Sequence, residues 1–190
     1  MAHPAVFLDR DGTINVNAPS GDYVTSPEGL KLLPGAAEAV RRLGEAGFRI
    51  VVVTNQSCVG KGLVSSEELR EIHVRLRDML SEAGAEVDLV LHCPHTSADD
   101  CDCRKPAPGM WLRAAGDLDL DLASSYTAGD AARDLQAGRI AGTRTVFVWG
   151  DAYVDEPAKA RELGPDMEAE TLSEAAGMIV ADARERGVIG

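Results

Sequence analysis

The segment Phe7-Leu8-Asp9-Arg10-Asp11-Gly12-Thr13 sets two carboxylates two residues apart, where the apolar run Ala5–Leu8 meets a glycine-containing turn. A short buried strand ending this way can hold one carboxylate as a nucleophile with the other close by, provided a divalent cation damps their repulsion. That is phosphoryl-transfer chemistry. An ordinary Asp-Gly turn after a strand has the same composition, so the pair by itself decides nothing.

Three further clusters bear on it. Ile50-Val51-Val52-Val53 ends in Thr54-Asn55-Gln56-Ser57, a hydroxyl and amides able to donate hydrogen bonds to phosphate oxygens. The Gly60-Lys61-Gly62 that follows lacks the upstream glycine and trailing Ser/Thr of a nucleotide-binding P-loop and is not read as an ATP site. Arg104-Lys105-Pro106 supplies fixed cations for a phosphorylated substrate, the guanidinium gripping two oxygens and the ammonium acting as a point charge. Thr127-Ala128-Gly129-Asp130 closes another apolar run, with Asp134 one helical turn on. Asp130 can complete an oxygen-rich magnesium site or cap a helix, or both, and Asp134 can orient a neighbour.

Cys93-Pro94-His95, five residues, then Cys101-Asp102-Cys103 offers three thiolates and an imidazole, a complete tetrahedral zinc set. Four protein ligands leave no open position, so the expected ion is structural, ordering the loop that presents Arg104 and Lys105. His92 is read as part of a strand end and Cys58 as an ordinary free thiol.

These groups need a scaffold. Short Val/Ile-rich runs alternate with longer amphipathic stretches, which predicts an α/β fold: a Rossmann-like, three-layer domain with a parallel sheet. Strands are expected at about 4–9, 49–54, 87–92, 125–129 and 144–149, and helices at 35–46, 66–83 (capped by Ser65 or Ser66), 109–117, 131–141 and 171–186. Right-handed crossovers then bring every motif above to one edge, the strands' C-terminal ends. Residues 15–34 interrupt the alternation and are expected to form a partial lid, while Asp151 to Glu162 is expected to be solvated acidic surface.

A chain of 190 residues suits a single domain spanning 1–190. Nineteen basic against thirty-one acidic residues, net charge -12, argue against nucleic acid or an anionic membrane as partner. No apolar stretch approaches the ~20 residues of a membrane span, and the expectation is a cytoplasmic monomer.

In this order, each at a strand end, the four chemical clusters resemble the haloacid dehalogenase-like phosphatase superfamily over residues 5 to 142. Asp9-Arg10-Asp11-Gly12-Thr13, Thr54-Asn55-Gln56-Ser57 and the Cys93 to Met110 segment resemble its D-glycero-D-manno-heptose 1,7-bisphosphate 7-phosphatases, with the histidinol-phosphate phosphatases as a sister group. The resemblance implies no large cap domain and a small sugar phosphate as the substrate. It implies Asp9 as the nucleophile forming an aspartyl-phosphate and Asp11 as general acid/base. Thr54 and Lys105 would bind the transferring phosphoryl group with Arg104 beside them, and Asp22 and Tyr23, after Gly21, would meet substrate. Magnesium would be held by the Asp9 and Asp130 side chains and the Asp11 carbonyl. One departure stands out: heptose enzymes commonly carry lysine directly after this Gly-Asp, and here the position is Ala131. The alternatives are histidinol phosphate, a sugar phosphate of secondary metabolism, or a catalytically silent, zinc-ordered interaction protein on the same scaffold.

Overall fold

Ala5–Leu8 forms β1 with all four side chains buried, the signature of a strand covered on both faces. In this computed structural model, which describes residues 2–19 and 22–190, β1 is central in a six-stranded parallel sheet. Its partners are β2 (Arg49–Asn55), β3 (Leu89–Cys93), β4 (Tyr126–Gly129), β5 (Arg144–Val148) and β6 (Met167–Ala169), in the order β3-β2-β1-β4-β5-β6.

Alternation along the strands splits the core in two. Val6, Leu8, Ile50 and Val52 face a layer that includes α1 (Ala36–Glu45) and the last helix, Leu172–Glu185. Ala5, Phe7, Val51 and Val53 face the opposite layer, where Phe7 stacks on Trp111 with centroids 5.7 Å apart. The remaining helices are α2 (Ser57–Gly60), α3 (Ser66–Ser81), α4 (Gly109–Leu118), α5 (Ala132–Ala141) and α6 (Glu156–Leu163), which makes Leu172–Glu185 α7. Ser65 caps α3 through a reciprocal pair: Glu68 N donates to Ser65 Oγ (3.1 Å) and Ser65 N to Glu68 Oε2 (2.7 Å).

Register aligns the chemistry. Leu8 pairs with Val52 on one side and Ala128 on the other, so Asp9, Thr54 and Asp130 leave adjacent strands within two residues of those pairs. The chain runs outward from β1 to β3 and returns across β1 to β4, which makes the C-terminal ends of β1 and β4 the switch point where open α/β sheets bind ligands.

The five expected strands and five expected helices are present; β6, α2 and α6 were not foreseen. α6 corrects the expectation of solvated surface at 151–162. Ala160 packs with Leu135 and Phe147, and buried Glu156 accepts a hydrogen bond from Ala132 N at the start of α5 (2.8 Å). The ends of the 15–34 segment are tied to the domain: Val16 N donates to Lys31 O, Leu33 N to Ile14 O (2.9 Å each), and Val24 and Leu30 enter the main core. Neither this segment nor the β3–α4 connection forms a separate domain among the described residues. No helix there is long and apolar enough to cross a membrane.

Candidate active site

Asp9 follows β1 directly and is nearly buried, 4 % exposed, with its backbone N–H donating to Ala128 O of β4 (3.0 Å). One carboxylate oxygen, Oδ1, accepts from Arg10 N (2.7 Å) and from Lys105 Nζ (2.8 Å). Lys105 is also buried and spends the rest of its ammonium on Asp134 Oδ1 (2.6 Å) and Val53 O (3.0 Å). All three of its donors are used, so its position is over-determined. Asp134, one turn into α5, also accepts from Ala131 N through Oδ2 (3.1 Å), which makes it the orienting residue the sequence suggested.

Asp130 is buried beside Asp9. Its Oδ2 accepts from Asn17 Nδ2 (3.1 Å), while Oδ1 has no partner among the described residues. Ligand atoms of Asp9, Asp130 and Asp134 lie within 4.8 Å of one another. Burial, then the neighbouring Asp134, pushes the Asp9 carboxyl up to about 6 against the opposing pull of Lys105. Burial, then Asp9, pushes Asp130 well above the usual carboxylate range. Two carboxylates that resist ionising together, one with an orphaned oxygen, are the donor set a divalent cation relieves. Asp134 is committed to Lys105 and Ala131, which leaves Asp9 and Asp130 as the carboxylates suited to the ion. Gly12 makes this approach possible: with φ of +81° and Asp130 directly against it, it has no room for a Cβ.

Asp11 sits differently. Burial would raise its pKa, but Arg10 and hydrogen bonds from Asn15, Arg10 and Gln56 outweigh that and hold it below the ordinary value. Arg10, fully buried, grips Asp11 with Nη2 2.9 Å from both oxygens, and its Nη1 lies 3.3 Å from His73 Nε2. Burial, then Arg10, depresses His73 to about 3, so its ring is neutral and accepts. This network was not legible in the chain, where Arg10 is merely the residue between two carboxylates.

A cleft of about 250 Å³ opens at the strand ends, lined by Asp22, Tyr23, Asn55, Ser57, Lys61, Arg104, Arg133 and Tyr153. The expected substrate residues Asp22, Tyr23, Asn55, Ser57 and Arg104 are thus brought together; Gly21 lies outside the described residues. Gln56 corrects the expectation. Its side chain is buried, with Nε2 donating to Asp11 Oδ2 and Thr54 Oγ1 (2.8 Å each), and it is not part of the cleft lining. Asn55 lines the cleft but spends its amide on the Lys105 backbone: Nδ2 donates to Lys105 O (3.2 Å) and Oδ1 accepts from Lys105 N (3.1 Å). Thr54 is buried with its hydroxyl on Gln56. Arg133 and Tyr153 were missed. Ala131, directly after Asp130, is fully buried and offers no charge to the cleft.

At the β3 end, Cys93 Sγ lies 3.8 Å from Cys101 Sγ and 3.5 Å from His95 Nδ1, and His95 Nδ1 3.3 Å from Cys103 Sγ. A tetrahedron with metal–sulfur bonds of about 2.3 Å has sulfur–sulfur edges of about 3.8 Å. The four donors therefore already stand at coordination spacing. Arg104 Nη1 donates to His95 O (3.0 Å), tying this cluster to the cleft. Cys58 is a packed thiol, as expected. His92, on β3, has its ring 5.4 Å from that of His73.

The HAD-hydrolase-like family matches residues 102–175. The D-glycero-beta-D-manno-heptose-1,7-bisphosphate 7-phosphatase of Pseudomonas aeruginosa is 38% identical over 148 residues, 78% of this chain and 82% of that one. The Bordetella bronchiseptica enzyme of the same name is 42% identical over 137 residues, covering 72% and 75%. The chain belongs to this phosphatase family. It is therefore an enzyme, a phosphoric monoester hydrolase. Among solved structures of the family, a B. bronchiseptica D,D-heptose 1,7-bisphosphate phosphatase complexed with magnesium and phosphate superposes with a TM-score of 0.84 at 34% identity, covering 94% of this chain and 99% of that one. A putative HAD-like phosphatase from Mesorhizobium loti gives 0.81 at 35% identity, covering 97% and 87%.

Proposed function

We propose that this chain removes the 7-phosphate of D-glycero-D-manno-heptose 1,7-bisphosphate through an aspartyl-phosphate at Asp9, as a single-domain cytoplasmic monomer. The observation that carries the chemistry is the pairing of Asp9 with the orphaned oxygen of Asp130, with Lys105 clamped on Asp9's other side. What supports the substrate is similarity to the heptose 1,7-bisphosphate 7-phosphatases of P. aeruginosa and B. bronchiseptica. The net charge of -12 supports the absence of nucleic acid as a partner.

The Asp9 carboxylate attacks phosphorus in line, forming an O–P bond as the bond to the sugar's primary oxygen breaks. Asp11 gives that oxygen its proton and then takes one from the water that attacks the acyl phosphate, so Asp9 and inorganic phosphate are released and Asp11 is reprotonated. Asp11's grip by Arg10 keeps it ionised when the site is empty, so the arriving phosphate dianion must raise its proton affinity before it serves as an acid. Thr54, whose Oγ1 accepts from Gln56 and keeps its own proton to donate, would hold a transferring oxygen, and Lys105, its donors committed to Asp9, Asp134 and Val53, supplies positive charge beside it. Magnesium on Asp9, Asp130 and the Asp11 carbonyl would neutralise charge that the buried carboxylates and the phosphoryl group otherwise concentrate. Cys93, His95, Cys101 and Cys103 fit zinc in number, donor type and spacing, and four ligands leave no position for water, which supports a structural role.

The test is a kinetic panel of heptose 1,7-bisphosphate, histidinol phosphate and common sugar phosphates, with Asp9→Asn alongside. Asp9→Asn should stay folded and lose several orders of magnitude in kcat. Near-native turnover by that variant would remove Asp9 as nucleophile, and a higher kcat/KM for histidinol phosphate would move the substrate assignment to the sister group.

A further inference from the structure

The cleft above Asp9 is cationic in a strongly acidic protein. Lys61, Arg104 and Arg133 line it with Asp22 as the carboxylate, a formal lining charge of +2 against -12 for the whole chain. Lys105, 2.8 Å from Asp9 Oδ1, already supplies positive charge at the floor of the site. Lys61 donates to the Tyr23 hydroxyl (2.9 Å) and Arg104 to the His95 carbonyl (3.0 Å), both neutral partners, and among the described residues neither charge is cancelled by an ion pair.

Arg133 goes furthest. It is half-buried in the first turn of α5, and among the described residues it makes no ion pair and no hydrogen bond. Of the acids around it, Asp134 holds Lys105 and Ala131 N, and Glu156 holds Ala132 N and Lys159 Nζ (3.1 Å). Asp9 is paired with Lys105, and among the described residues Asp130 keeps one free oxygen that Arg133 does not reach. Burial works against its charge, and the fields of Asp134, Asp9 and Asp130 more than restore it. A half-buried guanidinium with no partner, five donors and an opening to the cleft is placed to meet an incoming anion.

We infer that Arg133, with Arg104 and Lys61, forms an anion subsite outside the transferring phosphoryl position, and that Arg133 is the specificity-determining residue that reads a second phosphate on the leaving group. This rests on the bisphosphatase function proposed above and assigns it a residue. It also explains how the site does without a cation at Ala131: the charge enters from two residues further along, on the same helix start.

The experiment compares wild type, Arg133→Met and Arg133→Lys on heptose 1,7-bisphosphate and on the same heptose carrying only the 7-phosphate. Melting temperatures are measured alongside, since Arg133 also offsets the buried acids. The ratio of kcat/KM, bisphosphate over monophosphate, should fall on the order of 30-fold in Arg133→Met, chiefly through KM of the bisphosphate, as expected for loss of a charged hydrogen-bonding partner. Arg133→Lys should recover most of the ratio, because a point charge suffices for attraction though not for bidentate binding. An equal loss on both substrates would place Arg133 at the transferring group or in a structural role and overturn the inference, as would an unchanged ratio. If wild type prefers the monophosphate while Arg133→Met still alters only the bisphosphate, the subsite stands and the proposed substrate falls.

Discussion

Replacing Gly12 by alanine tests whether Asp130 is held where the chemistry needs it. The added methyl would lie 2.5 Å from Asp130 Cγ and nearer still to Oδ2, whereas real Cβ contacts begin near 3.0 Å. Asp130 or the turn must therefore retreat by about 1 Å, while metal ligands tolerate only about 0.2 Å. A misplacement of about 1 Å in a catalytic site can cost ~100-fold in rate. The backbone adds a smaller penalty, since φ of +81° suits glycine and an L-residue there costs about 1–2 kcal/mol. For a chain of this length that lowers the melting temperature by only about 3–6 °C. The variant should thus be folded at 25 °C, with kcat down by about 100-fold or more and a magnesium titration shifted to higher concentration. Circular dichroism melting and initial rates across a magnesium series read the two effects separately. A folded variant with wild-type kcat and an unshifted magnesium midpoint would refute the assignment of Asp130 to the ion.

Two other perturbations reach different parts of the molecule. Protein purified without added metal should carry about one zinc per chain by elemental analysis, and Cys101→Ser should lower that content and reduce activity by loosening Arg104 and Lys105; a zinc-free, fully active enzyme would overturn the structural-zinc assignment. His73, buried against Arg10 and His92 and held neutral down to about pH 3, makes the fold sensitive to acid. Below about 6.5 the unfolded chain takes up a proton that the folded ring refuses, so this share of stability is complete above 6.5 and is lost as pH falls toward 3. Between pH 7 and pH 5 the loss is about 2 kcal/mol. Chemical denaturation at the two pH values should show His73→Gln losing correspondingly less, and an identical pH dependence in both proteins would contradict the buried neutral ring.

Much of the scaffold and the reactive core was legible in the chain itself. A parallel strand buried on both faces must be apolar along its length, so Ala5–Leu8 and Ile50-Val51-Val52-Val53 announce themselves, and residues that end such runs fall at one edge whatever the loops do. The convergence of Cys93, His95, Cys101 and Cys103 was legible for a similar reason, since they combine a rare donor set with local spacing. β6 and α6 were not. Met167–Ala169 has three residues, one of them acidic, at the sheet edge, and the exposed acids of α6 hide Glu156, whose burial depends on Ala132 N arriving from another helix. Side-chain roles in the cleft also waited for the tertiary structure. An amide such as Gln56 both donates and accepts, so its type suits substrate binding and scaffolding equally, and Asp11 beside Thr54 decided for scaffolding. Arg10 and Arg133 carry the same guanidinium; one found a carboxylate and a neutral histidine in the interior, the other reached the cleft without pairing with an acid among the described residues. Local sequence determines which groups are available and which strands will bury, because those follow from short-range pattern and transfer free energy. Which partners each polar group meets is a matter of long-range geometry, and in a low-dielectric interior those partners set its charge and its function.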